Sequence, residues 1–121
     1  KNILLHYNYI KKCAVPFSKD LINLLQDSQV SEVMLVDWQN DGGVNKFNKK
    51  IVNSFFDKKT PLILFGGIND HKQINNLFRN TNVSAVSIGN ALSYSENAIQ
   101  KLKKNIEFDL IRPPHFSRSI F

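Results

Sequence analysis

Two glycines, Gly66 and Gly67, follow directly on the apolar run 61–65, and a second run, 84–88, leads into Gly89 and Asn90. The chemistry such turns support is anion binding. Glycine lets the backbone approach a ligand closely. A helix starting just beyond it adds unpaired amides and the positive end of its dipole. Two turns of this kind, side by side at one end of a parallel sheet, make a phosphate cradle lined by Gly66, Gly67, Gly89 and Asn90. The alternative is a tight strand-to-helix turn without a ligand, but two adjacent glycines exceed what a turn needs. Asp37 closes another apolar run, where a carboxylate can act as acid or base or cap a loop amide. Asp41, within Asn40–Asp41–Gly42, fits a ligand contact or a turn equally. These two aspartates are the candidate catalytic residues.

Other chemistries find little support. His6, His71 and His115 lie far apart and lack metal-ligand spacing. His71 falls in the first turn of an expected helix near the cradle, as an anion donor or simply an exposed helix residue. Cys13 is the single cysteine, so no internal disulfide and no cysteine metal site can form. It is expected as a small, partly buried apolar residue. Ser18, Ser93 and Ser95 stand at expected helix starts, and no Ser-His-Asp grouping emerges. No metal and no cofactor is expected. Trp38 is expected to pack, or otherwise to line a pocket.

With 121 residues the chain can build one domain with a modest core. Its 42% hydrophobic and 21% charged residues are ordinary for a globular protein. No apolar run approaches the roughly 18 residues of a membrane span, and the start, Lys1–Asn2–Ile3, shows no secretory pattern. A cytoplasmic location is expected. The net charge of +6 raises the question of nucleic acid. However, the sixteen Lys and Arg residues are scattered. The densest group, Lys101, Lys103 and Lys104, falls in the last turn of an expected helix and complements its dipole. Nucleic acid is therefore not the expected partner.

The elements that must position these residues follow from pattern. Residues 3–15 alternate loosely and suggest an extended or hairpin segment. A helix over 16–27 would bury Phe17, Leu21, Leu24 and Leu25. Strand 32–37 is continuously apolar inside polar ends, as in a parallel sheet covered on both faces. A helix over 48–58 would bury Ile51, Val52, Phe55 and Phe56. After strand 61–65, a helix over 71–79 begins at an Asn69 or Asp70 cap, with Ile74, Leu77 and Phe78 inward. After strand 84–88, Ser93-x-x-Glu96 forms a capping box that opens a helix to residue 104, with Ala98, Ile99 and Leu102 inward. The tail 106–121 has no assigned structure. This alternation implies parallel strands with right-handed crossovers, hence an α/β chain. Three parallel strands leave both sheet edges unpaired. The chain is thus expected to be part of something larger or a protomer that pairs. Laid out as a (β/α)₈ barrel, the two glycine turns would follow strands 7 and 8, the frequent phosphate site of that fold.

The run from Ser31 to Asn90 resembles the C-terminal half of the cyclase subunit of imidazole glycerol phosphate synthase, and more closely that subunit's paralogues in bacterial surface-sugar clusters, the glycosyl amidation proteins. Three stretches carry the likeness: Glu32-Val33-Met34-Leu35-Val36-Asp37-Trp38-Gln39-Asn40-Asp41-Gly42, Pro61-Leu62-Ile63-Leu64-Phe65-Gly66-Gly67, and Ala85-Val86-Ser87-Ile88-Gly89-Asn90. With their helices they cover about three quarters of the chain. The resemblance implies a half TIM barrel over residues 1–121, completed by oligomerisation or by an N-terminal half. It places the family's phosphate loops at Gly66–Gly67 and Gly89–Asn90, and a ligand-facing acid at Asp41. It also places at Glu32 a charged gate, which in the family admits ammonia from a glutaminase partner; the residue-level alternative is a rim charge. The expected ligand is a phosphorylated or nucleotide-linked sugar. There are departures. The family's catalytic aspartates end strands 1 and 5, and this chain matches only from beyond strand 5. Phe65 replaces a phosphate-site serine, and Gln39 and Asn40 replace charged residues. Sugar amidation fits these departures better than histidine-pathway cyclisation. The rival expectation is a non-catalytic, homo-oligomeric half-barrel module that keeps only a phosphate or anion site.

Overall fold

The computed structural model describes residues 4–113 and shows a mixed α/β chain. The first element is an antiparallel hairpin, β1 (Leu5–Asn8) with β2 (Cys13–Pro16), as the loose alternation suggested. It forms its own two-stranded sheet. Helix α1 (Lys19–Gln26) begins three residues later than expected, because the Ser18 side chain accepts from the Leu21 amide and sets the start there.

Three strands then form a parallel sheet in the order β3 (Val33–Val36), β4 (Leu62–Phe65), β5 (Val83–Ser87). Because side chains alternate along a strand, the sheet has two unlike faces. Leu35, Leu62, Leu64 and Val83 are buried, together with Leu25 of α1 and Ile74 and Leu77 of α3 (His71–Phe78). The opposite face carries two cross-strand rows, Met34–Ile63–Ala85 and Val36–Phe65–Ser87. Met34 and Val36 on the β3 edge are exposed, and the other four are only partly buried.

Helix α2 (Lys50–Ser54) is much shorter than the apolar spacing predicted. The Ser54 hydroxyl donates to the Lys50 carbonyl, and the chain turns extended at Phe55. That turn drives Phe55 fully into the core while Phe56 stays largely exposed. A tight turn follows, in which Asp57 accepts from the Lys59 amide and the Thr60 hydroxyl. The expected capping box at Ser93 and Glu96 does not form. Asn90–Tyr94 winds into a 3-10 turn, and α4 (Ala98–Lys104) starts after Asn97, whose φ of +54° breaks the path between them. Ile99 remains exposed, so this last helix is held mainly by Leu102.

Two further expectations fail: Cys13 is exposed on the hairpin, and Trp38 is exposed beyond β3. Beyond α4, Ile106 packs on the core, Glu107 pairs with Arg79 at 3.1 Å, and Phe108–Leu110 forms a 3-10 turn. Residues 114–121, His115 included, lie outside the described residues, as do residues 1–3.

The Thr60 hydroxyl, and then the Lys59 amide, lower the Asp57 carboxyl below its ordinary 3.8. A depressed carboxyl contributes stability above its unfolded value and loses it as the pH falls through the folded one. Denaturant unfolding at about pH 7 and about pH 2.5 tests this. Asp57→Asn should narrow the stability gap between the two conditions. An unchanged gap would show that the turn contributes nothing to acid stability.

Candidate functional site

At the carboxyl ends of β3, β4 and β5 the chain leaves the sheet in three loops, and the first is tied down by a buried carboxylate. Asp37 is 3% exposed. Its Oδ2 accepts from Asn40 Nδ2 at 2.7 Å and from the Asn48 amide at 2.8 Å. A carboxylate is buried at low cost only when bonded in this way. Of the two readings of Asp37, the structure displays the loop cap: it spans the loop from Asn40 to Asn48 and does not line the cavity described below.

The second tie runs to the double glycine. The Gly67 carbonyl accepts from the amides of Lys46 and Phe47, at 3.0 and 3.3 Å. Asn69 Oδ1 accepts from the Asn45 amide at 2.8 Å. Phe47 is buried between the loops. The two backbones lie so close that a Cβ on Gly66 (φ +107°) would stand 2.5 Å from the Asp37 carbonyl oxygen. One on Gly67 (φ +67°) would stand 2.7 Å from that of Asn40. Loop-on-loop packing therefore accounts for both glycines without a ligand. The sequence argument that a pair exceeds what a turn needs is answered by the neighbouring loop.

Between these loops and the Gly89–Asn90 turn lies a cavity of about 80 Å³, which Asp41, Gly42, Gly66, Gly67, Gly89 and Asn90 all help to line. The structure thus brings together Asp41 and all four residues of the expected cradle. Glu32 sits at the opposite end of the sheet, where its Oε1 accepts from the Ser84 hydroxyl at 3.1 Å. Val44, Phe65, Ser87 and Tyr94 also line the cavity. Sequence spacing gave no signal for Val44 or Tyr94. Phe47 could have been found as a lone aromatic residue in a polar loop.

The cavity differs from the expected cradle in its donors. The α3 N-terminus is already occupied, because Asp70 accepts from the Lys72 and Gln73 amides at 3.1 and 3.3 Å. Asp70 Oδ1 also lies 3.3 Å from His71 Nδ1. This carboxylate offsets the helix dipole that was expected to face the ligand. Past β5 there is only the 3-10 turn. The available donors are instead loop amides: those of Gly67, Ile68, Asn90 and Ala91 find no acceptor among the described residues. The arrangement can hold a small anionic or hydroxylated group by hydrogen bonds. No group of His, Cys, Asp and Glu among the described residues could hold a metal ion, and no described helix is long and apolar enough to cross a membrane.

Comparison with protein-family models, with curated proteins and with solved structures found no match.

Gly66→Ala should destabilise the fold by about 3 kcal/mol, through a strained φ and the overlap with Asp37. Gly42→Ala should cost only about 1 kcal/mol, since a Cβ there meets open space apart from Asn90 Nδ2 at 3.8 Å. Equal losses in denaturant unfolding would mean that the loop-on-loop contact does not dictate Gly66.

Proposed function

We propose that the cavity holds a phosphate group and that this chain is the ligand-anchoring portion of a half (β/α)-barrel, similar to the cyclase subunit of imidazole glycerol phosphate synthase. The ligand is a phosphorylated or nucleotide-linked sugar, and the reaction is a synthase or amidation step in the cytoplasm. It uses ammonia from a glutaminase partner, without a cofactor. One observation carries the reading: residues of two loops whose amides find no acceptor among the described residues, Gly67 and Ile68 with Asn90 and Ala91, line one cavity at the carboxyl ends of three parallel strands. In α/β sheets and barrels this is where ligands bind. The chain's own part in catalysis is positioning and anion stabilisation. Asp41 is the acid that meets the ligand, while Asp37 holds the loop that presents it. Glu32, at the far end of the sheet, is the candidate for the ammonia entrance.

A variant at Gly67 would test folding rather than binding, so the probe must sit elsewhere on the rim. Inorganic phosphate titrated into the labelled protein should shift the amide resonances of Gly67, Ile68, Asn90 and Ala91. Ala91→Asp, which places a carboxylate in the cavity, should weaken phosphate at least about ten-fold. Resonances that do not move at millimolar phosphate would remove the cradle.

A second reading is favoured by the exposed Met34 and Val36 and by the only partly buried rows beside them. Parallel sheets are ordinarily covered on both faces. Here the chain is a non-catalytic half-barrel module, and a second copy covers that face. Under this reading the protein sediments as a dimer at micromolar concentration, and Met34→Glu with Val36→Glu weakens the dimer by about a hundred-fold. A monomer across that range would leave the first reading standing alone.

A further inference from the structure

The cavity has an electrostatic oddity that narrows the ligand. Asp41 lines it, is exposed, and its carboxylate has no hydrogen-bond or ion-pair partner among the described residues. The residues that line the cavity include no Lys, Arg or His. The donors are backbone amides and the neutral side chains of Asn69, Ser87, Asn90 and Tyr94. Asn69 has spent its oxygen on the Asn45 amide, which leaves its Nδ2 as a donor. Every polar side chain that lines the cavity can therefore donate to an anion except that of Asp41, which carries a full negative charge.

An ionised carboxylate is an acceptor only. Beside a bound anion it repels any oxygen that carries no proton, and no cationic side chain lines the cavity to soften the repulsion. If the ligand presents an O–H at that point, the same carboxylate gains a short, charge-assisted hydrogen bond. Resting on the reading of the cavity as a phosphate cradle, we propose that Asp41 makes it selective for anions that carry a hydrogen-bond donor beside the charge. These are protonated phosphates, or phosphate esters with a hydroxyl close to the phosphate, as in sugar phosphates. Fully ionised anions without a proton are rejected. Selection of this kind works because the wrong ligand meets a repulsive charge rather than merely losing a contact.

Inorganic phosphate and sulfate make the test, since they match in size and shape. At neutral pH phosphate keeps at least one proton and sulfate keeps none. Amide resonances of the labelled, intact chain would be followed in separate titrations with each anion, at matched ionic strength. The wild type should bind phosphate at least about ten-fold more tightly than sulfate. Asp41→Asn, at an exposed loop position, should bring the two within about two- to three-fold, chiefly by strengthening sulfate. Resonances outside the cavity report that the variant is folded. Equal binding of the two anions by the wild type overturns the selectivity and leaves the cradle intact. A preference that survives in Asp41→Asn overturns the role of Asp41. If neither anion moves the cavity amides, the cradle itself fails and this inference falls with it.

Discussion

The upper end of this molecule depends on one buried carboxylate. Asp37 ends β3 and would be a liability in the core were it not bonded to Asn40 and Asn48, near the two ends of the following loop. By holding those ends it folds the loop back over the sheet. The loop then presses on the β4 turn so closely that only glycine fits at residues 66 and 67. Three loops are thereby brought around one cavity. Those same glycines need no ligand to explain them, so the argument for binding moves from the glycines to the amides that their packing leaves free.

The sheet sets a second constraint. It is covered on one face by α1 and α3, while Met34 and Val36 stand uncovered on the other. A parallel sheet with one open face and two free edges asks for further chain on either side. The exposure of Trp38 belongs to the same open region, because it stands two residues beyond the exposed Val36 at the end of β3. The half-barrel proposal and the self-associating module both answer this demand. They differ in what supplies the cover, and the site above the strands is compatible with either.

The architecture was largely legible in the sequence, because apolar runs of four or five residues bounded by Gly, Pro and Asp carry a strong strand signal. The order of elements, the parallel sheet and the hairpin all follow from it. Helix extents were less legible. Apolar spacing predicted α2 over 48–58, but the chain leaves the helix at Phe55, which is fully buried. Ser93 and Glu96 have the right spacing for a capping box, yet the 3-10 turn that closes over the cavity claims Ser93. The four residues expected to form a cradle, chosen by type and spacing, do gather around one cavity. Their physical reasons were not legible, because the contact between Gly66 and the Asp37 backbone joins positions far apart in the chain. Nothing local announces such a contact. The expected role of the α3 dipole failed similarly: Asp70 was visible as a cap, but a cap that is a carboxylate also consumes the positive end it was expected to leave free.

The distribution of charge separates attraction from selection. The chain carries a net charge of +6, so its long-range field draws anions of every kind toward the surface, weakening over about 8–10 Å at physiological salt. None of that positive charge lines the cavity, and the one ionised side chain that does is negative. Under the proposed reading, approach is governed by the whole molecule and retention by hydrogen-bond geometry. A cradle built from lysines would hold any phosphate or sulfate strongly and distinguish them little. One built from neutral amides facing a carboxylate gives up some of that strength, and in return it can discriminate by where a ligand keeps its protons.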